Sequence, residues 1–310
     1  MAVGRVIQKS KRLNWQILLM AMAGVLFLLI FAYIPMFGIV IGFKNMDYSM
    51  NVMKDLVNKP FVGLENFVKF TQDAQFKNVM TNTLMLGFLE LAFTFPLPIL
   101  FALLLNELRS NIFRRTVQTG TYFPYFISWV VYGGIVSVFL SSDGGFINSM
   151  LMQLHVIDMP INFMSRAEYF YAIVIISSAI KGMGWGSVIY VSAIAGVDQE
   201  IYEAGRIDGA NRWQMAFRVT LPCIASTITV MLLLAISGIL NSGFDRIYML
   251  QNPLNLAKSE VLDTYIYKVG ISQRRFSFTT AVGVFRSIFS VILLGVGNFV
   301  SKRTTGNGLF

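Results

Sequence analysis

The sequence predicts an all-α polytopic membrane protein with six transmembrane helices, and three observations carry that prediction. Hydrophobic residues make up 55% of the 310-residue chain and charged residues 13%, roughly half the charged share of soluble domains. A soluble fold of this length could not hide so much apolar surface, and disorder needs the opposite balance. The apolar residues come in long uninterrupted runs rather than in the alternation of a membrane β-barrel. Helix is then the required form, because lipid offers no partner for backbone N–H and C=O groups.

Taken in order, an uncharged run from Leu13 to Phe43 lies between Arg12 and Lys44 and predicts a helix near 15–42. Arg5, Lys9, Lys11 and Arg12 precede it as in a secretory leader. The run is too long for a leader's apolar region, and no small-x-small site closes it, so it is expected to be a retained span. Val79 to Asn106 holds one charge, Glu90, and predicts a second helix near 79–105. Thr116 to Ser142 carries none and predicts the third, near 119–141. Tyr169 to Val197 holds Lys181 and predicts the fourth, near 169–196. Val219 to Phe244 predicts the fifth, near 221–243, with Pro222 in its first turn. Phe276 to Ser301 holds Arg286 and predicts the sixth, near 279–301. Each run exceeds the ~20 residues that cross a hydrocarbon core.

Six spans place both termini on one side. The N-terminal basic cluster and the compact loop with Arg109, Arg114 and Arg115 assign that side to the cytoplasm, N-in and C-in. The expected organisation is a cytoplasmic segment 1–14, a transmembrane domain 15–301 with a cytoplasmic loop 197–220, and a cytoplasmic tail 302–310. No outer loop has the length for a domain core.

Several chemistries have no residues to carry them. The phosphate-cradling Gly-Lys dipeptide does not occur, so the chain is not expected to hydrolyse ATP or to bind a cofactor itself. One His (His155) and one Cys (Cys223) give no metal cluster and no nucleophile–base pair. No catalytic residue is therefore expected. The net charge of +9 is scattered between apolar runs and forms no stripe for nucleic acid.

The loop from Asp198 to Pro222 reads as two short helices. Asp198 is placed to cap the first and Asp208 the second, with Gly209 between them. Glu203-Ala204-Gly205, then Gly209, then Val219-Thr220-Leu221-Pro222 matches in spacing the EAA loop of binding-protein-dependent ABC importer permeases. Gly205 stands where that pattern has a second Ala, and Val219 where it has Ile. Phe31 to Lys44 and the stretch Lys181-Gly-Met-Gly-Trp-Gly-Ser-Val-Ile-Tyr190 are similar to LplB-type sugar permeases, relatives of the maltose permease. The resemblance covers essentially the whole chain.

It implies a type I importer fold in a bacterial cell membrane, carrying oligosaccharides or polysaccharide fragments. The implied partners are a second homologous permease, giving a heterodimer, two ATPase subunits that hold ATP and Mg, and an extracytoplasmic solute-binding protein. It also implies that Glu203, Ala204, Gly205, Asp208, Gly209 and Ala210 couple the chain to the ATPase, with Glu203 in contact and Gly209 permitting the turn. The loop reports coupling and not cargo, so an importer of a peptide or phosphodiester stays open. A secondary transporter would call for paired broken helices in two similar halves, which the sequence does not display.

Glu90, Lys181 and Arg286 sit near the middle of their spans. A charge there is costly unless paired or hydrated, so each is expected to face the bundle or a wet cavity, with Glu90 paired to Lys181 or Arg286. Trp185, Tyr190 and Asn241 are expected to line the translocation path, because sugar sites combine aromatic faces with hydrogen-bonding groups. Ser237 and Asn241, four residues apart in the fifth helix, are expected to share a face. Gly182-x-x-x-Gly186 is expected to pack closely on a neighbouring helix.

Overall fold

The apolar runs become helices in the computed structural model, which describes residues 15–306, 308 and 309. The expected cytoplasmic segment 1–14, with its four basic residues, lies outside the described residues. In chain order the principal helices are α1 (Leu18–Phe43), α2 (Phe76–Asn106), α3 (Asn111–Phe126), α4 (Trp129–Phe139) and α5 (Ala167–Ala195). They continue with α6 (Gln199–Ile207), α7 (Arg212–Cys223), α8 (Ala225–Ser237), α9 (Phe244–Leu250), α10 (Leu262–Tyr267) and α11 (Phe276–Arg303). Among the described residues the one β contact is an isolated bridge between Lys44 and Phe61.

Four of the six expected spans, α1, α2, α5 and α11, are continuous. The third and fifth are not the single helices their uncharged runs predict. α3 and α4 meet at 101°, and α7 and α8 at 68°. The third breaks because Ile127 and Ser128 are extended, and the Ser128 hydroxyl caps α4 by accepting from the Val131 N–H at 3.4 Å. The chain also enters α3 earlier than expected, at Asn111 behind a Ser110 cap. The fifth breaks at Ile224, one residue past Cys223. Pro222 therefore ends α7 rather than opening the fifth span. α8 stops at Ser237, and residues 238–243 are not α-helical, so Ser237 and Asn241 do not share a helix face.

Prolines shape the long helices as well. Ile34, Phe95 and Leu221 each donate to the carbonyl five residues back, on Leu29, Glu90 and Ala216. Each immediately precedes a proline: Pro35, Pro96 and Pro222. Proline lacks an N–H and crowds the carbonyl of the preceding turn. A single π-turn at that point keeps the helix going where a regular turn would clash.

The core lies between α2, α10 and α11 on one side and between α2, α4, α5 and α9 on the other. Phe70, Val79, Leu240, Leu262 and Phe278 are fully buried in the first cluster. Leu86, Phe170, Val174 and Ile247 anchor the second. α5 also runs against α3, where a Cβ on Gly184 would run into the Thr121 carbonyl. Gly186 meets Pro98 of α2, whereas nothing lies against Gly182. Close packing thus uses Gly184 and Gly186, not the expected Gly182–Gly186 spacing. An outer-loop residue, Asp47, caps α11 by accepting from the N–H groups of Ser277 (2.9 Å) and Phe278 (3.2 Å).

Candidate functional site

The loop between α5 and α8 is built from local capping. The Asp198 carboxylate accepts from the Glu200 N–H at 3.0 Å and starts α6, as its position predicts. At the other end the Ala210 N–H donates to the Gly205 carbonyl (3.0 Å) and the Gly209 N–H to the Arg206 carbonyl (3.1 Å). That pair of bonds is a Schellman turn, with Gly209 at φ +78° in the left-handed position where a side chain is disfavoured. Asp208 closes α6 and does not cap the next helix. Asn211 does, accepting from the Gln214 N–H at 2.9 Å while the Gln214 side chain accepts from the Asn211 N–H at 2.8 Å. Both residues have the short polar side chain that suits a cap, and the Schellman turn decides which one stands before α7.

α6 is pinned along one edge. Tyr202 is buried and its phenol oxygen accepts from the Thr220 hydroxyl at 3.2 Å. A Cβ at Gly205 would come within 3.0 Å of the Met215 methyl group, so Gly in place of Ala lets α6 sit against α7. Glu200, Glu203, Ala204 and Ile207 form the opposite, exposed stripe, with Ile207 85% exposed. Spacings of three and four put these residues on one helix face.

Each mid-span charge has a partner, but not the expected one. Glu90 pairs with Arg246 of α9, and Arg286 with Asp263 of α10. The Ser242 N–H donates to Asp263 at 3.0 Å, and Arg246 donates to the Ser242 carbonyl and to the Ser178 hydroxyl. Two carboxylates and two guanidiniums thus form one chain around the turn after α8. Among the described residues no carboxylate pairs with Lys181. The residue is 6% exposed, and its ammonium donates to the carbonyls of Pro124 (3.0 Å), Tyr125 (2.8 Å) and Ile127 (2.6 Å). These carbonyls gather where α3 ends, that of Pro124 being shared with the Ile127 N–H, and a cation is favoured at that end of the helix dipole. The rings of Tyr125, Trp129 and Tyr132 surround the ammonium at 5.4–5.7 Å.

The three expected path residues are not together. Trp185 is partly exposed and stacks on Tyr125 with ring centroids 5.0 Å apart, edge-on to Phe126 and Tyr122. Asn241 lines a cavity of about 380 Å³ with Glu90, Thr94, Phe95 and Ile239. Tyr190 is 3% exposed among Ile99, Leu103, Ile194 and Ile224. It is a core residue of this chain, because its side of α5 faces α2 and the break at Ile224.

Residues 94–306 match the family described as binding-protein-dependent transport system inner membrane component. The chain belongs to this family. Over 300 residues the permease is 40% identical to Protein LplB of Bacillus subtilis, covering 97% of this chain and 92% of that one. It is 38% identical to the polygalacturonan/rhamnogalacturonan transport system permease protein YteP of the same organism, covering 98% and 94%. It superposes with a TM-score of 0.84 and 36% identity on a chain of a bacterial ABC transporter that imports the acidic polysaccharide alginate, covering 94% and 96%. A second structure of the alginate transporter, with a pentasaccharide-bound periplasmic protein, aligns equally well. The permease's mid-membrane partners Arg246 and Asp263 were not legible as site residues, since both fall in the stretch read as an outer loop. The signal available was the cost of leaving Glu90 and Arg286 unpaired, which demands counter-charges from somewhere.

Proposed function

We propose that the chain is the transmembrane permease subunit of an ATP-driven, binding-protein-dependent importer of oligosaccharides or polysaccharide fragments in a bacterial cell membrane. It works beside a second, homologous permease. Two ATPase subunits hold ATP and Mg, and an extracytoplasmic solute-binding protein delivers cargo. The observation that carries the reading is the α6–α7 loop. A short helix is capped at both ends and anchored on one side by Tyr202, with Glu203, Ala204 and Ile207 left exposed on the other. A rigid helix with a free stripe transmits motion of a docked ATPase to the spans it joins, and alternating access needs such a two-state element. Sugar as cargo rests on the names of the relatives together with the cavity beside Asn241. That cavity offers an amide, a carboxylate and the Thr94 hydroxyl, which is buried without a partner in this chain, next to the apolar faces of Phe95 and Ile239.

The test is uptake of labelled oligosaccharide by the reconstituted complex, with ATPase stimulation by loaded binding protein measured in parallel. Asn241→Ala and Trp185→Ala are expected to lower uptake while stimulation persists. Full uptake in both variants removes them from the path, and transport without ATP sinks the importer reading.

A further inference from the structure

We propose that the cytoplasmic end of α2 and the α6–α7 turn form a binding site for one anionic phospholipid. Two cavities meet there. One, of about 490 Å³, is polar and lined by Arg109, Arg206 and Arg212 together with Asn106, Gln199 and Tyr202. The other, of about 440 Å³, is apolar and lined by Leu100, Leu103, Leu104, Trp213 and Phe217. Glu107 and Arg212 line both, so the cavities adjoin.

The chemistry of the first cavity selects a phosphate. Among the described residues no carboxylate pairs with any of its three guanidiniums. Glu107 is the only acidic residue in either lining. Guanidinium forks match phosphate oxygens in geometry and charge. The second cavity selects the rest of the ligand. Leu100 and Leu104 are exposed on a membrane-spanning helix, and Trp213 is exposed and stacked on Phe217 with centroids 6.0 Å apart. An indole beside an apolar groove, one turn from arginines, is the arrangement found where headgroups meet acyl chains. A free phosphate would fill the first cavity and leave the groove bare. An ATPase subunit could not reach Leu100 inside the bilayer.

Of the residues expected to couple to the ATPase, Ala210 alone lines the polar cavity. Gln199, Tyr202 and Arg206 face the polar cavity, while Glu200, Glu203 and Ile207 occupy the other face of α6. A lipid held there would brace α6 against α2 and make coupling sensitive to membrane composition.

The experiment is lipid retention by the purified transport complex. It is exchanged into mixed phosphatidylcholine–phosphatidylglycerol nanodiscs, released into detergent and weighed by native mass spectrometry. Phosphatidylglycerol is expected to stay bound in preference to phosphatidylcholine. Arg206→Gln and Arg212→Gln each weaken its retention roughly fivefold, the worth of one basic residue near an anionic headgroup. Arg212→Lys keeps most of it, and Trp213→Ala loosens both lipids alike. Equal retention in the glutamine variants overturns the proposal, as does displacement of the lipid by soluble glycerol phosphate. Loss of ATPase subunits with lipid retention unchanged would assign the arginines to the protein interface instead and likewise overturn it. The readout is independent of cargo, so a failed uptake experiment leaves it standing.

Discussion

Gly209 and Lys181 each hold a helix end, by opposite means. Gly209 supplies a left-handed residue at φ +78° with nothing within 4 Å of where a side chain would begin, so a substitution there is penalised by backbone strain and not by a clash. A β-branched residue in that conformation costs on the order of 1–2 kcal/mol. Gly209→Val is therefore expected to fray α6 and uncouple ATP hydrolysis from uptake, whereas Gly209→Asn, which tolerates the conformation, stays close to wild type. Equal coupling in the two variants would show that the turn geometry is dispensable. Lys181 supplies three donors to part-buried carbonyls at the end of α3. Lys181→Met keeps the length and removes the donors, at a cost of roughly 2–4 kcal/mol. The expected outcome is a clearly lowered thermal midpoint of the detergent-solubilised protein, and an unchanged midpoint would mean that water satisfies the carbonyls instead. The sequence made Gly209 legible because a glycine at fixed spacing is a local signal. It left the role of Lys181 hidden, because the carbonyls it meets lie more than fifty residues away.

Spans were legible at the scale of elements because a long uncharged run is a property of consecutive residues. Breaks within them were not. Counting charges from Thr116 to Ser142 is blind to the two extended residues at Ile127 and Ser128, and the uncharged run through Pro222 gave no warning of the turn at Ile224. Of the four π-turns among the described residues, three carry a clearer signature, each standing before a proline. One of them begins at Glu90, so Pro96 helps set the register in which the carboxylate meets Arg246. That pair ties α2 to α9 across residues that no periodicity connects. Breaking a buried pair leaves a bare charge, for a cost of about 2–3 kcal/mol once partial exposure is allowed for. Glu90→Arg or Arg246→Glu alone is expected to abolish stable insertion or uptake, and the reciprocal double variant to recover a substantial part of it. A double variant no better than the singles would show that the ion pair is not what places these helices.

The whole molecule joins a cytoplasmic coupling loop to an opposite, outer face carrying Asp47, and its proposed role depends on which way round it sits in the bilayer. The orientation follows from where Lys and Arg cluster: Arg109, Arg114 and Arg115 stand on the same side as α6, where they line adjoining cavities with Tyr202. A positively charged loop is retained on the cytoplasmic side during insertion. The loop after α4 lies at the other end of the bundle, since Leu140 packs near Phe170 at the start of α5, while α6 follows α5's far end. The chain has one native thiol, Cys223, so a Cys223→Ser background gives clean labelling. A cysteine at Leu154, exposed in the loop after α4, is expected to react with a membrane-impermeant maleimide in intact protoplasts. One at Ile207, 85% exposed on α6, is expected to react only after permeabilisation. Labelling of the Ile207 position from outside would invert the topology. The coupling loop would then lie where no ATPase could reach it, and the importer mechanism and the assignment of the lipid to the inner leaflet would both fail.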